Sequence, residues 1–228
     1  MSELTQSISQ AIEKTIEKEE SEFQVTDLNR ASSAGWIYDC HRHLVLSRLS
    51  PEKKVYSKET KMRFAEGRRQ EASMRRDFLR SGIPIREYKT EGDREKALSR
   101  FIPDIEVKCE ADDLIVDPRG FDVPVDYKSA SSAMFREIKR YETASDLRKS
   151  RAIWVRHYPA QMNIYCAAFR SPFGIMPFKN KDTGERHYID CPFNAGDYEF
   201  LADGLREINK LVKDHTVPPV IDKWEVCS

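Results

Sequence analysis

Apolar residues recur along this chain at two spacings, one helical and one alternating. Residues 57–81 have the helical period, with Met62, Ala65, Arg69 and Ala72 on neighbouring turns and Phe78 and Leu79 beyond; Gly82 and Pro84 end it. Residues 152–169 predict a second strong helix, in which Pro159 either starts a new helix or kinks a long one. A third, amphipathic helix covers 197–212 with Leu201, Leu205, Ile208 and Leu211 or Val212 inward. Alternation marks residues 106–129, which read as two short strands. Val107, Leu114, Ile115, Val116, Phe121, Val123 and Val125 are the apolar positions, and Asp117-Pro118-Arg119-Gly120 is the turn. Residues 173–178 and 186–193 predict another hairpin around Asn180-Lys181-Asp182-Thr183-Gly184.

The remaining segments are less sharply patterned. Ile8, Ile12 and Ile16 mark a narrow amphipathic helix within residues 1–22. Residues 31–44 suggest a short helix capped by Ser32 or Ser33, with Trp36, Ile37 and Cys40 on one face. Residues 83–87 read as a strand, 88–100 as a loop and 129–132 as a turn of small residues. A charged helix over 133–150, anchored by Phe135, Ile138 and Tyr141, could lie across a substrate cleft. No repeat or low-complexity linker interrupts the chain, so the expected organisation is a polar N-terminal helix (1–24) and one domain (25–228).

Composition narrows the classes. At 228 residues with 39% hydrophobic content the chain can bury one good core. The 38 basic and 38 acidic residues cancel, so any nucleic-acid surface must come from local clustering. No apolar run reaches the ~20 residues of a membrane span and no signal-peptide core is visible, which predicts a cytoplasmic protein without membrane partners. The five cysteines, Cys40, Cys109, Cys166, Cys191 and Cys227, are odd in number and form no C-x-x-C pair. They are expected to be free thiols or metal ligands. The most basic segment is the helix at 57–81, with Arg63, Arg68, Arg69, Arg75, Arg76 and Arg80. It could track a phosphate backbone, or be a solvated face paired with Glu66, Glu71 and Asp77.

The chemistry gathers on the 106–129 hairpin. Asp112 sits on its first strand, and Asp126 and Lys128 are two apart on its second, where alternation points both side chains to one face. Two carboxylates suit a hard divalent cation, and a lysine beside them can steady a nucleophilic water or developing negative charge. A surface ion pair is the plain alternative. Gly67 and Glu71 share a helix face, and a helix-interior glycine implies close approach to a neighbour or to a substrate backbone. Gln161 and Tyr165 share another face. Cys40, His41 and His43 resemble a metal cluster, but adjacent and i,i+2 helical positions do not face one another.

Taken in order, Gly67-x-x-x-Glu71, Asp112, Asp126-x-Lys128 and Gln161-x-x-x-Tyr165 resemble the RecB-like branch of the PD-(D/E)XK nuclease superfamily, in particular its CRISPR-associated and phage RecB-like exonucleases. The resemblance spans about residues 30–225, and residues 33–46 with Cys40 and Arg42 look like the family's N-terminal motif. It implies an α/β, restriction-endonuclease-like fold with a central mixed β-sheet flanked by helices. It also implies Mg²⁺ or Mn²⁺ on Asp112 and Asp126, with Glu71 as a further metal ligand, and Lys128 positioning the attacking water. Gln161, Tyr165, Arg68 and Arg69 would hold DNA, with single-stranded ends as the substrate and a CRISPR-adaptation or recombination protein as partner. Asp113 rivals Asp112; Ala111 before Asp112 favours the latter. Glu71 stands where this branch usually has histidine. Of the four thiolates an iron–sulfur cluster needs, Cys40 and Cys227 match the family's positions and two are missing, which favours no cluster over a shortened chain. Two other readings compete: a nuclease-like module that binds DNA or protein without cleavage, and a duplex-cutting restriction-type endonuclease.

Overall fold

The computed structural model describes residues 3–19, 28–50 and 56–219. Helices are α1 (Glu3–Glu19), α2 (His41–Leu49), α3 (Lys58–Arg80), α4 (Glu91–Leu98), α5 (Ser132–Ile138), α6 (Ala144–Leu147), α7 (Ile153–Phe169) and α8 (Ala195–Lys213). Strands are β1 (Asn29–Arg30), β2 (Ser99–Ile102), β3 (Val107–Glu110), β4 (Asp113–Val116), β5 (Asp122–Val125), β6 (Lys128–Ala130), β7 (Phe173–Asn180) and β8 (Arg186–Pro192). The central sheet is mixed: β4 is antiparallel to β5, β5 and β6 are both parallel to β7, and β8 is antiparallel to β7. A smaller sheet places β3 between β1 and β2.

The register explains why this sheet forms. Val125 pairs with Ile175 and Lys128 with Phe178, so β5 and β6 keep one register along the same edge of β7. They are one strand interrupted at Asp126 and Tyr127, where Asp126 N still donates to Ile175 O (3.2 Å). Val123, Pro124 and Val125 are all buried, as expected of a strand covered on both faces. Pro124, which cannot donate a ladder hydrogen bond, sits opposite Leu114. On one face Val125 and Tyr127 meet Met74 and Phe78 of α3; α7 packs in the larger core on the other side. Gly35 is where a short 3₁₀ helix (Ala31–Tyr38) touches α7, since a Cβ there would lie 2.3 Å from that of His157.

Several expectations change. The predicted first strand is two: Val107 belongs to β3 in the smaller sheet, and Asp112 falls at the break before β4. The predicted turn is present, with Gly120 at φ 93° and its N–H donating to Asp117 O. Ser129 and Ala130, expected to open a turn, instead continue from Lys128 as β6, because β7 offers them a free edge. The loop at 88–100 contains α4, whose cap Thr90 accepts from Asp93 N through Oγ1 (3.1 Å); Thr-x-x-Asp was the missed signal. The strand at 83–87 reduces to one bridge, Ile85 with Ile115. Residues 31–44 are not one helix, since the 3₁₀ turn stops at Tyr38 and α2 restarts after Cys40. The 133–150 helix is two short ones, held down by Phe135, Ile138 and Leu147. Helix α7 is continuous with Pro159 inside it. The inward face of α3 is Ala65, Met74 and Phe78, while Met62 is exposed. Gly67 approaches no neighbouring element: a Cβ there would meet nothing within 4 Å. Cys40 is disulfide-bonded and not free, whereas Cys109, Cys166 and Cys191 are free and buried. Cys227 lies outside the described residues.

The two glycines predict opposite responses. Gly35→Ala forces a backbone shift against α7 and lowers stability by about 1–3 kcal/mol. Gly67→Ala, in open helix, raises it by about 1 kcal/mol. Urea denaturation of both variants checks this; equal losses would contradict it.

Candidate active site

The antiparallel register of β4 with β5 pairs Asp113 with Val125 and therefore sets Asp112 opposite Asp126. Asp112 N donates to Val125 O (3.0 Å), and Asp112 Oδ2 accepts from Tyr127 N (2.7 Å), which fixes the carboxylate across the strand break. Asp126 is 2% exposed, and its Oδ1 accepts from Gln161 Nε2 (3.1 Å). Lys128 Nζ lies 2.5 Å from Asp126 Oδ2, so the ammonium is that oxygen's partner. The same ammonium sits 5.0 Å above the ring of Tyr158. Gln161 Nε2 also donates to Tyr165 OH, which in turn donates to Glu110 O (2.6 Å). Helix α7 thus ties both aspartate-bearing segments to one frame.

Charge in this cluster is unbalanced. Burial raises the Asp112 carboxyl well above its usual range, and the Asp126 charge adds to this, partly offset by Lys128. Lys128 is pushed up despite its burial, because Asp126, Tyr158 and Asp112 favour the ammonium. Glu71, on α3, is raised by burial; Asp126 adds to the rise, while Lys128, Arg68 and Lys181 counter it. Glu71 therefore shares the field of the site, but among the described residues no three His, Cys, Asp or Glu side chains are gathered to hold a metal ion. Asp113 is fully buried on the other face of the strand and takes Arg75 Nε at 2.8 Å and Tyr127 OH at 3.4 Å. Arg69 is exposed and turned to Glu66 (3.6 Å), and Arg68 lies near Glu71. Cys40 and Arg42 are remote from these contacts; Arg42 Nη1 donates to Pro218 O.

Sequence reasoning passed over Tyr158 and Lys181. Tyr158 was readable, standing one turn before Gln161 on the same helix face. Lys181 is close only because Lys181 N donates to Ala130 O across the β6–β7 edge, which no local pattern shows.

No protein-family model matches the chain, and no curated protein sequence matches it. Solved structures do. An alkaline exonuclease, LHK-Exo from Laribacter hongkongensis, superposes with a TM-score of 0.56 over 84% of this chain and 92% of its own, at 13% identity. The chain has the restriction-endonuclease-like fold. The same exonuclease in complex with dAMP gives 0.54 at 10% identity, over 83% of this chain and 89% of that one. SSO0001 superposes at 0.49 with 14% identity and adds no weight. Among the described residues no helix is long and apolar enough to cross a membrane.

The donor set fits a hard divalent cation. Asp112 and Asp126 offer only oxygen, the donor type such a cation takes, and their charge is offset chiefly by one lysine. Two carboxylates suffice where water and phosphate oxygens complete the shell, as is usual for Mg²⁺. Among the described residues Cys109, Cys166 and Cys191 are buried free thiols, and Cys40 would need its disulfide reduced to act as a thiolate ligand.

Asp112 gives a pH-linked prediction. Because its carboxyl is raised, the folded metal-free protein holds more protons there than the unfolded chain, so its stability contribution falls as pH rises through the folded pKa. Metal must displace that proton, so Mn²⁺ affinity should rise with pH and then level off. Asp112→Asn should remove both effects and raise Tm at neutral pH by roughly 2–4 °C, the shift of a ~1 kcal/mol change in a chain this size. Calorimetric Mn²⁺ titrations and melting curves at several pH values check it; an unchanged Mn²⁺ affinity in Asp112→Asn would remove Asp112 from the ligand set.

Proposed function

We propose that the protein is a metal-dependent DNA exonuclease that hydrolyses phosphodiester bonds at single-stranded ends. One observation carries the reading: Asp126 and Lys128 point to one face, with Asp112 fixed opposite by the strand register. The fold shared with an exonuclease, one structure of which holds dAMP, supports it.

Asp112 and Asp126 would hold the Mg²⁺ or Mn²⁺. When bound, that cation polarises a phosphoryl oxygen and acidifies a water. Lys128 stays charged across the working pH range and can both orient that water and offset negative charge building on the phosphorus. Gln161 holds Asp126 in one rotamer and Tyr165 anchors Gln161, so these two act by positioning. Glu71, half-buried at the edge of the site, could add a ligand through water or shape the cation preference. Arg68 and Lys181, near Glu71, would meet the phosphates of an incoming strand. The rival reading, DNA or protein binding without cleavage, draws on the zero net charge, on Glu71 in place of histidine and on the lack of a third gathered donor among the described residues. A CRISPR-adaptation or recombination partner belongs to this proposal only through the sequence resemblance.

The test is cleavage of end-labelled single-stranded and duplex DNA with Mg²⁺, Mn²⁺ or chelator. Asp126→Ala and Lys128→Ala should each lower the rate by about 10²–10³-fold or more, the loss typical of removing transition-state stabilisation, while DNA binding persists. Cleavage surviving in both would overturn the site; no cleavage by the wild type under any metal would favour the binding reading.

A further inference from the structure

The site occupies only the C-terminal part of one face of α7. Helical periodicity puts Trp154, Tyr158, Gln161 and Tyr165 within roughly 60° of one another around the axis. Tyr158 faces Lys128, Gln161 holds Asp126 and Tyr165 reaches Glu110, so three of the four serve the site. Trp154 is the fourth, ~6 Å further along the axis than Tyr158. It is 56% exposed, and no ring stacks on it among the described residues. A large apolar ring on the solvent side of a helix that is otherwise nearly all buried needs a reason.

The segment that enters α7 also borders an open cavity of about 540 Å³, lined by Ala133, Arg136, Glu137, Arg140, Tyr141, Lys149 and Arg151. Arg151 is three residues before Trp154. Elsewhere Arg48, Arg69, Arg75, Arg86, Arg94, Arg119, Arg148, Arg156, Arg186 and Arg206 each pair with a carboxylate. Arg136, Arg140 and Arg151 form no ion pair among the described residues, although all are exposed. Lys149 pairs with Asp146. Glu137, the one acid of the cavity, is committed: its Oε1 accepts from Ser150 Oγ (2.5 Å) and Arg151 N (3.1 Å). That contact holds α5 against the segment entering α7, so the cavity is built before any ligand arrives. Three exposed arginines outside any ion pair, one of them three residues before an exposed tryptophan, supply the two parts of a single-strand surface, cations for phosphates and a ring for a base.

We propose that single-stranded DNA leaving the Asp126–Lys128 site runs along α7, stacks a base on Trp154 and seats its phosphates on Arg136, Arg140 and Arg151. The inference rests on the nuclease reading for its direction but not for its test. An acidic protein would satisfy the arginines without needing the ring, and the variants separate the two.

The experiment is fluorescence anisotropy of a labelled single-stranded 20-mer in EDTA, which prevents metal-dependent cleavage of the probe by the wild type. Trp154→Ala should weaken binding about tenfold and Trp154→Phe should restore most of it. Arg140→Ala/Arg151→Ala should lower the slope of log affinity against log salt by about 1–2. Wild-type affinity in both Trp154→Ala and the arginine pair would overturn the proposal. Loss in the arginine pair with no effect of Trp154→Ala would also overturn it, in favour of a general polyanion surface. Asp126→Ala separates the two readings: loss of cleavage there with Trp154-independent binding sinks this inference alone. Trp154-dependent binding by a wild type that never cuts sinks the nuclease reading alone.

Discussion

The parallel register along one edge of β7 is the constraint on which the site depends. A strand normally alternates its side chains for as long as its ladder lasts. Here the ladder is formally broken at Asp126 and Tyr127, yet Val125 and Lys128 still meet β7 in the same register. The interruption frees Tyr127 N from the sheet, and that N–H binds the Asp112 carboxylate. A perfect strand would hold Asp126 and Lys128 together but would spend that donor on its neighbour. A fully disordered break would lose the shared face. The local chain therefore does two jobs only because β7 holds both ends.

The consequence is an accumulation of like charge that folding alone would not select. Asp112 and Asp126 face each other across the break, with Glu71 nearby, and Lys128 is the principal counter-charge. Burial and the neighbouring aspartate both oppose ionisation of Asp112. A pair of isosteric amides would relieve that repulsion. Sites that oppose their own stability in this way are where functional demands are met at the expense of the fold. Asp113 provides the contrast: burial raises its carboxyl too, but Arg75, paired directly with it, and Arg94 counter the rise. Its environment is that of a structural carboxylate, which is why two adjacent aspartates differ so much.

Much of this was legible because strand and helix periods are local. Asp126-x-Lys128 and Gln161-x-x-x-Tyr165 each name residues that share a face, and the structure brings both pairs together through Gln161 and Asp126. The long helices were readable from their apolar period and stops, the Asp117–Gly120 turn from its residues. What escaped depended on partners distant in sequence. Ser129 and Ala130 look like a turn until β7 presents an edge, and Lys181 joins the site's field only through that same edge. The smaller sheet was missed because Val107 pairs with Asn29, far up the chain. Gly67 misled for the opposite reason: a helix-interior glycine invites a packing explanation, and no packing is there. Cys40 could not be read as bonded, since cysteine spacing does not reveal pairing.

Helix α7 shows how function can be recognised from polar bookkeeping alone. It is buried on nearly every side, a pattern that normally excludes polar residues. Its polar side chains are nevertheless matched one by one. His157 Nε2 meets Asp39 Oδ2 at 2.7 Å, Asn163 binds the backbone of Asn194, and Tyr165 donates to Glu110 O. Gln161 spends its amide on Asp126 and Tyr165. At the Asp126 end of the same face the match is one of charge: Gln161 holds one carboxylate oxygen and the Lys128 ammonium meets the other at 2.5 Å. That lysine also faces Asp112, so two carboxylates share one principal counter-charge. The proposed divalent cation would meet the negative charge that remains.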